Sequence, residues 1–251
     1  MLKVNEMFLS FQGEAQSVGL PTLFLRFAGC NLQCEECDTN FHQYKEMTVA
    51  QIIELIYEKN LGRAQIISLT GGEPLLQDTQ EIFALMNKLY WDGSYKFLLE
   101  TNATLPNKLN KLLMDSNYEL PNYIYTISAD IKTDKEGYFM QGVEEPQLEF
   151  FRIMAKYFQN NTIKIIITPE MVNWKTELTP LYHTVNKVLN VFSDKKVNIS
   201  LTPITIKNEI TPFKTEDLFN IYEQVKKAAE HNSVSADIRV IPQMHVVMNI
   251  P

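Results

Sequence analysis

The chain has 251 residues, a net charge of −7, 45% hydrophobic residues and 21% charged residues. That composition belongs to globular proteins and excludes a long disordered chain. The acidic balance, without a Lys/Arg-rich stripe, argues against a nucleic-acid partner. No apolar run reaches the ~18 residues of a membrane helix, and Met1–Glu6 carries no secretory pattern. A cytoplasmic protein that does not enter membranes is expected.

In chain order, β-branched and aromatic residues predict strands over Val4–Phe11 and Thr22–Phe27. Thr48 reads as an N-cap, followed at helical spacing by Val49, Ile52, Ile53, Leu55 and Ile56. Next come a strand over Ile66–Leu69 and a helix with Ile82, Phe83, Leu85, Met86 and Leu89 on one face. Lys96–Leu99 reads as a strand, Leu105–Met114 as a helix with Pro106 at its start, Tyr123–Ile127 as a strand and Pro146–Phe158 as a helix. Ile163–Ile167 is isoleucine at every position except Lys164, the pattern of a strand buried on both faces. Leu178–Phe192 reads as a helix with Pro180 in its first turn, Val197–Leu201 as a strand and Thr215–His231 as a long helix. Ile238–Ile241 and His245–Met248 are expected to be extended, and the loop over 132–145, with Gly137 and Gly142, to be mobile. Alternating strands and helices predict an α/β fold with a parallel sheet and crossover helices, in one domain over 1–251.

All three cysteines fall in Cys30-Asn31-Leu32-Gln33-Cys34-Glu35-Glu36-Cys37, a C-x3-C-x2-C spacing. An odd number so close together is a poor disulfide framework and a good metal framework. Three thiolates from one loop suit an iron–sulfur cluster with one iron left open. A structural zinc site with His42 as fourth ligand is the alternative, and three unlinked structural cysteines a third reading. Further on stands Thr70-Gly71-Gly72-Glu73-Pro74. Its two glycines would let the backbone approach a ligand and accept positive φ, and Glu73 offers an acceptor to a cationic amino group. Glu100-Thr101-Asn102 and Ser128-Ala129-Asp130-Ile131-Lys132 stand at further strand ends, where α/β folds gather ligands.

The cysteine loop followed by Gly-Gly-Glu-Pro resembles the radical S-adenosylmethionine (SAM) superfamily. That resemblance implies a partial TIM-type barrel of parallel strands and a 4Fe-4S cluster on Cys30, Cys34 and Cys37. It also implies SAM held by Gly71, Gly72 and Glu73, with Glu100, Asn102, Ser128 and Lys132 as further cofactor contacts. Phe11-Gln12-Gly13-Glu14, Arg26, Ala28-Gly29 before Cys30 and Asp38-Thr39 after Cys37 narrow the resemblance to the 7-carboxy-7-deazaguanine synthase family. That family contracts the ring of 6-carboxy-5,6,7,8-tetrahydropterin, with loss of ammonia, in queuosine and 7-deazapurine biosynthesis.

The resemblance covers Val4–Thr104 and the C-terminus, whereas 133–232 matches only as alternating elements and is where a partner surface is expected. It implies substrate contacts at Gln12, Gly13, Glu14, Arg26, Thr70, His245 and Pro251, and Mg²⁺ on Thr39, whose oxygen suits a hard cation. The residue types fit the chemistry. Gln12 offers both donor and acceptor, Glu14 accepts from guanidine-like N–H groups, and Arg26 can fork onto a carboxylate. Residues 8–42 would form the substrate and cluster loop and 237–251 a pocket-closing tail. A homodimer and an electron donor such as flavodoxin or ferredoxin are implied. Ala15 and Ala103 stand where the family commonly has glycine, and Glu36 where it has an aromatic. The runner-up is a radical SAM activating enzyme acting on a partner protein; the non-enzyme reading is a zinc-stabilised interaction domain.

Overall fold

A computed structural model describes residues 1–34, 37, 42–58, 63–172, 178–207 and 209–250 of the chain. The N-terminal strand β1 (Leu2–Phe11) pairs antiparallel with β2 (Pro21–Phe27), and the short β3 (Lys45–Met47) covers its outer edge. From β2 onward the sheet grows by parallel addition of β4 (Ile66–Gly71), β5 (Lys96–Thr101), β6 (Ile124–Ile131), β7 (Asn161–Ile167) and β8 (Lys196–Pro203). A small hairpin, β9 (Thr205–Ile206) with β10 (Glu209–Ile210), precedes the last parallel strand, β11 (Ser235–Val240).

The spatial order is β11-β8-β7-β6-β5-β4-β2-β1-β3. Each parallel strand joins beside its predecessor and the winding never reverses, as in a barrel rather than a doubly wound sheet. Strands β11 and β3 remain edges, so the barrel is open. The parallel sheet with crossover helices is what the alternating pattern predicted, and its open curvature is the partial TIM-type architecture that the family resemblance implied.

The crossovers are α1 (Val49–Glu58), α2 (Thr79–Gly93), α3 (Pro106–Asp115), the single turn α4 (Leu120–Tyr123), α5 (Glu144–Tyr157), α6 (Pro180–Asn190) and α7 (Thr215–His231). Their starts are chemically specified. Thr48 Oγ1 accepts the Gln51 amide at 3.3 Å while Gln51 Oε1 accepts the Thr48 amide at 2.9 Å, a reciprocal capping box. Asp78 accepts the amides of Gln80 and Glu81 at α2, and Thr179 caps α6 with Pro180 at its first position.

Strand β7 shows how burial and function share one element. Ile163, Ile165 and Ile167 join the hydrophobic core, whereas Lys164 and Ile166 line a cavity. That is the two-residue period of a strand with two distinct faces. On the helical side, α5 contributes Phe150 and Phe151, both fully buried, and Phe151 meets Phe192 edge-on at 6.2 Å.

Two local expectations change, and the loop after β6 shows its own hydrogen bonds. Strand β6 continues to Ile131, because its whole second half pairs with β5 and β7. The C-terminal segment is a short helix, α8 (Met244–Met248), ended by Asn249 at φ 53 rather than extended. In the loop between β6 and α5, Asp134 Oδ1 accepts the amides of Glu136, Gly137 and Tyr138.

Truncating Phe151 to alanine leaves a cavity where α5 meets the core and is expected to cost about 3–5 kcal/mol. The urea midpoint measured by circular dichroism checks this.

Candidate active site

A cavity of ≈ 760 Å³ lies at the carboxyl ends of the parallel strands, in the upper range for ligand pockets. It gathers residues distant in sequence: Cys30, Cys34 and Cys37 after β2, Thr70, Gly71 and Gly72 at the end of β4, and Glu100 and Asn102 at the end of β5. Lys132, Gln12, Gly13, Glu14, Arg26 and His245 complete the predicted residues that reach it. Thr39 and Pro251 lie outside the described residues.

On the cluster side, the Cys30 sulfur receives the Leu32 amide at 3.5 Å and Asn102 Nδ2 at 3.8 Å. Such N–H donors stabilise a thiolate and tune a cluster bound to it. Burial pushes the Cys34 thiol up; the Lys132 charge opposes this, and the neighbouring Cys37 and Cys30 add to it. Among the described residues no three His, Cys, Asp or Glu side chains gather closely enough for a single metal ion. His42 does not line the cavity, so the mononuclear zinc reading gains no support from the geometry.

The Gly-Gly turn serves the chain's own backbone. Gly71 has φ +114, and a Cβ there would lie 2.2 Å from the Phe27 carbonyl oxygen; one at Gly72 would lie 2.0 Å from that of Gly29. The Gly72 amide donates to Phe27 O at 3.0 Å and the Glu73 amide to Gly29 O at 2.8 Å. The turn thus clamps the strand end that leads into Cys30. Glu73 itself is fully buried and is not part of the cavity wall. Its carboxylate accepts Leu75 N, Thr101 Oγ1 and Asn102 N at 2.8–3.0 Å. Burial pushes it up to about 7. In this geometry the carboxylate holds Asn102 and the turn.

The far wall is a chain of half-buried charges. Lys164 Nζ lies 2.5 Å from Glu14 Oε2 and 3.1 Å from Asp130 Oδ1, and Lys132 Nζ lies 2.6 Å from Asp130 Oδ2. Gln243 donates to Glu14 Oε1 at 2.6 Å. Gln12 and Ser68 donate to Glu100 Oε1 at 2.9 and 2.6 Å. Burial alone would raise Glu14 and Asp130, but the lysines hold both carboxyls below their ordinary values. Glu100 is raised by burial and by the Glu14 charge.

Arg26 pairs with Glu6 at 2.9 Å and sits 4.9 Å over the Phe8 ring, which stacks on Phe24 at 5.0 Å. It forms part of the cavity rim. Gly13 is required by close approach: its carbonyl accepts the Met244 amide at 2.8 Å, and a Cβ would lie 2.9 Å from His245 Nδ1.

Ser128 does not line the cavity. It shares a strand face with Asp130 and Lys132 but lies deeper, because β6 is longer than expected. Asp130, Lys164 and Gln243 were missed as site residues, although Lys164 was visible as the break in an isoleucine run. Gln147 on α5 left no such signal. Fully buried, it donates to the carbonyls of Asn102 and Asp130 at 2.7 Å and accepts the Lys132 amide at 3.1 Å. Ala15 and Ala103 adopt φ 54 and 59, the left-handed region that favours glycine.

A thiolate loop over the open carboxyl end of a partial barrel defines a radical SAM enzyme, and residues 25–172 match the radical SAM superfamily; its cofactors are a 4Fe-4S cluster and SAM. A 7-carboxy-7-deazaguanine synthase of Methanopyrus kandleri is 29% identical over 271 aligned positions, covering 99% of this chain and 94% of that protein. One of Haemophilus influenzae is 31% identical over 168 positions, covering 56% of this chain and 75% of that protein. The chain belongs to the 7-carboxy-7-deazaguanine synthase family. The crystal structure of QueE from Escherichia coli shares the fold, with a TM-score of 0.56 at 15% identity over 95% of this chain and 94% of that one. Among the described residues no helix is long and apolar enough to cross a membrane.

Two outcomes follow from the buried turn. Gly72→Ala would set a methyl 2.0 Å from the Gly29 carbonyl, so it is expected to destabilise the fold by more than about 2 kcal/mol and to reduce iron retained after anaerobic reconstitution. Separately, the Glu73 carboxyl is raised from 4.5 to about 7 in the unliganded fold. The native state keeps a proton that the unfolded chain releases, so Glu73's contribution to stability falls as pH rises from about 4.5 to about 7. Glu73→Gln is expected to flatten that slope in urea unfolding across the same window.

Proposed function

We propose that this enzyme converts 6-carboxy-5,6,7,8-tetrahydropterin to 7-carboxy-7-deazaguanine with release of ammonia, and that residues 1–251 act as one functional unit. The observation that carries this reading is the shared lining of one cavity. It joins the three-cysteine loop to a wall of Gln12, Glu14, Arg26 and Thr70 beside the stacked Phe8 and Phe24. A flat aromatic face suits a planar bicyclic ring. Glu14 would accept the guanidine-like N–H edge of the pterin, Gln12 would match its amide, and Arg26 would leave Glu6 to fork onto the carboxylate.

The donor set fits the family's cofactors. Soft thiolates at Cys30, Cys34 and Cys37 are the ligands an iron–sulfur cluster takes. The backbone of Gly71 and Gly72, with Glu73, Glu100, Asn102, Ser128 and Lys132, would hold SAM, and Glu73 would also keep Asn102 in place. Once bound, cluster and SAM supply the hydrogen-abstracting chemistry that protein side chains lack. The chain's own share is orientation and exclusion of water. Gly13 and His245 bring α8 against the pocket loop, and the tail to Pro251 would complete the closure. Mg²⁺ dependence, with Thr39 as ligand, is part of the proposal, as are a flavodoxin- or ferredoxin-type electron donor, a homodimer, a cytoplasmic location and a product that enters queuosine or other 7-deazapurine synthesis.

Anaerobic turnover of the reconstituted protein with SAM, Mg²⁺, a reductant and the carboxytetrahydropterin is expected to yield 7-carboxy-7-deazaguanine and ammonia. Cys34→Ala is expected to drop to background. A fully cluster-loaded protein that leaves the pterin unchanged refutes the reading.

A further inference from the structure

We propose that Lys164 is a positioning residue that presents the ionised Glu14 carboxylate to the substrate; this rests on the reading of Glu14 as a substrate contact. The ammonium sits in the barrel wall with its side chain 12% exposed, 2.5 Å from Glu14 and 3.1 Å from Asp130. It occupies the position in β7 where the isoleucine run breaks and the strand turns one face to the cavity.

The hydrogen-bond inventory specifies what Glu14 is left able to do. One carboxylate oxygen takes Lys164 and the other takes Gln243 at 2.6 Å. Each oxygen has two acceptor sites, so each keeps one for a ligand. Two free acceptor sites on one fixed carboxylate match a ligand edge carrying two adjacent N–H donors, the guanidine-like edge of a pterin. The bonds from two directions fix the plane of the carboxylate, and the lysine charge keeps it ionised.

Glu14 is surrounded by charge. Glu100 faces it from β5, Asp130 from β6, Lys132 from just after β6 and Lys164 from β7, and Arg26 on β2 and His245 on α8 line the same cavity. With Lys164 present, Glu14 is held below the usual carboxylate range against its burial. Without Lys164, burial and the two neighbouring acids act together and Glu14 takes up a proton. A protonated Glu14 turns one acceptor into a donor and loses its match to the ligand.

The test is anaerobic calorimetry of 6-carboxytetrahydropterin binding to the cluster- and SAM-loaded protein between about pH 6 and about pH 9. Variant affinities are taken relative to wild type, so that titration of the ligand cancels. Lys164→Arg keeps the charge and is expected to stay near wild type with a flat ratio. Lys164→Met is expected to bind more weakly, the ratio falling roughly tenfold per pH unit below the raised Glu14 value, while kcat at saturation changes little. The double variant Glu14→Gln/Lys164→Met leaves the net charge of the buried group unchanged, so it keeps the test open where Lys164→Met alone fails to fold. It is expected to bind no worse than Glu14→Gln alone. A wild-type-like, flat Lys164→Met overturns the proposal, and so does a double variant about tenfold or more weaker than Glu14→Gln, since Lys164 would then grip the ligand itself. If wild type does not bind the pterin, the functional reading fails first and this inference falls with it.

Discussion

An ammonium group in a barrel wall is stable only where carboxylates meet it, and Lys164 is met from two sides. Glu14 reaches it from the loop after β1, and Asp130 from the neighbouring strand. Leaving one member of a buried ion pair uncompensated costs about 3–5 kcal/mol. The loop is therefore held to one path across the open barrel. Asp130 passes the same constraint on to Lys132, whose charge reaches Cys34. One amine thus links the wall that would receive a substrate to the wall that carries the cysteines.

An incomplete barrel needs such a device. The parallel strands stop short of closure, and the residues after β1 bridge the lumen instead. Gln12 bonds Glu100 on β5, Glu14 bonds Lys164 on β7, and Gln16 reaches the carbonyls of Ile199 and Asp237 on β8 and β11. Helix α8 then docks on Gly13. This loop, Gln243 and His245 all line the cavity at the strand ends. On the opposite side the Gly71–Gly72 turn makes backbone bonds to Phe27 and Gly29, and Gln147 ties the ends of β5 and β6 together. The strand ends that line the cavity are thus tied to one another by hydrogen bonds, while the loop after β1 and helix α8 meet beside it.

Much of this was legible locally. Thr48, Pro106, Pro180 and the isoleucine run marked helix starts and a buried strand, because caps, prolines and side-chain period act over a few residues. The cysteine spacing and the Gly-Gly-Glu-Pro turn announced a site for the same reason. The glycines' role was only half legible. They permit close approach, as expected, but the partner is the Phe27–Gly29 backbone, which only strand pairing brings near. The sequence did not show how far β6 runs, because strand length depends on neighbours in the sheet; the cavity lining takes Asp130 and Lys132 and not Ser128.

From the chain alone follow the kinds of chemistry available: three thiolates from one loop, a glycine-glycine turn, acids and amides at strand ends, and a lone lysine in an apolar strand. Short-range sterics and hydrogen bonding write these into adjacent residues. Which of them meet was decided only by tertiary structure. Glu14 and Lys164, Gln243 and Glu14, and Gln147 and the β5–β6 carbonyls join residues far apart in sequence. The choice among such pairings rests on burial, where an unmatched charge or polar group is costly, and burial is a property of the folded barrel rather than of any segment within it.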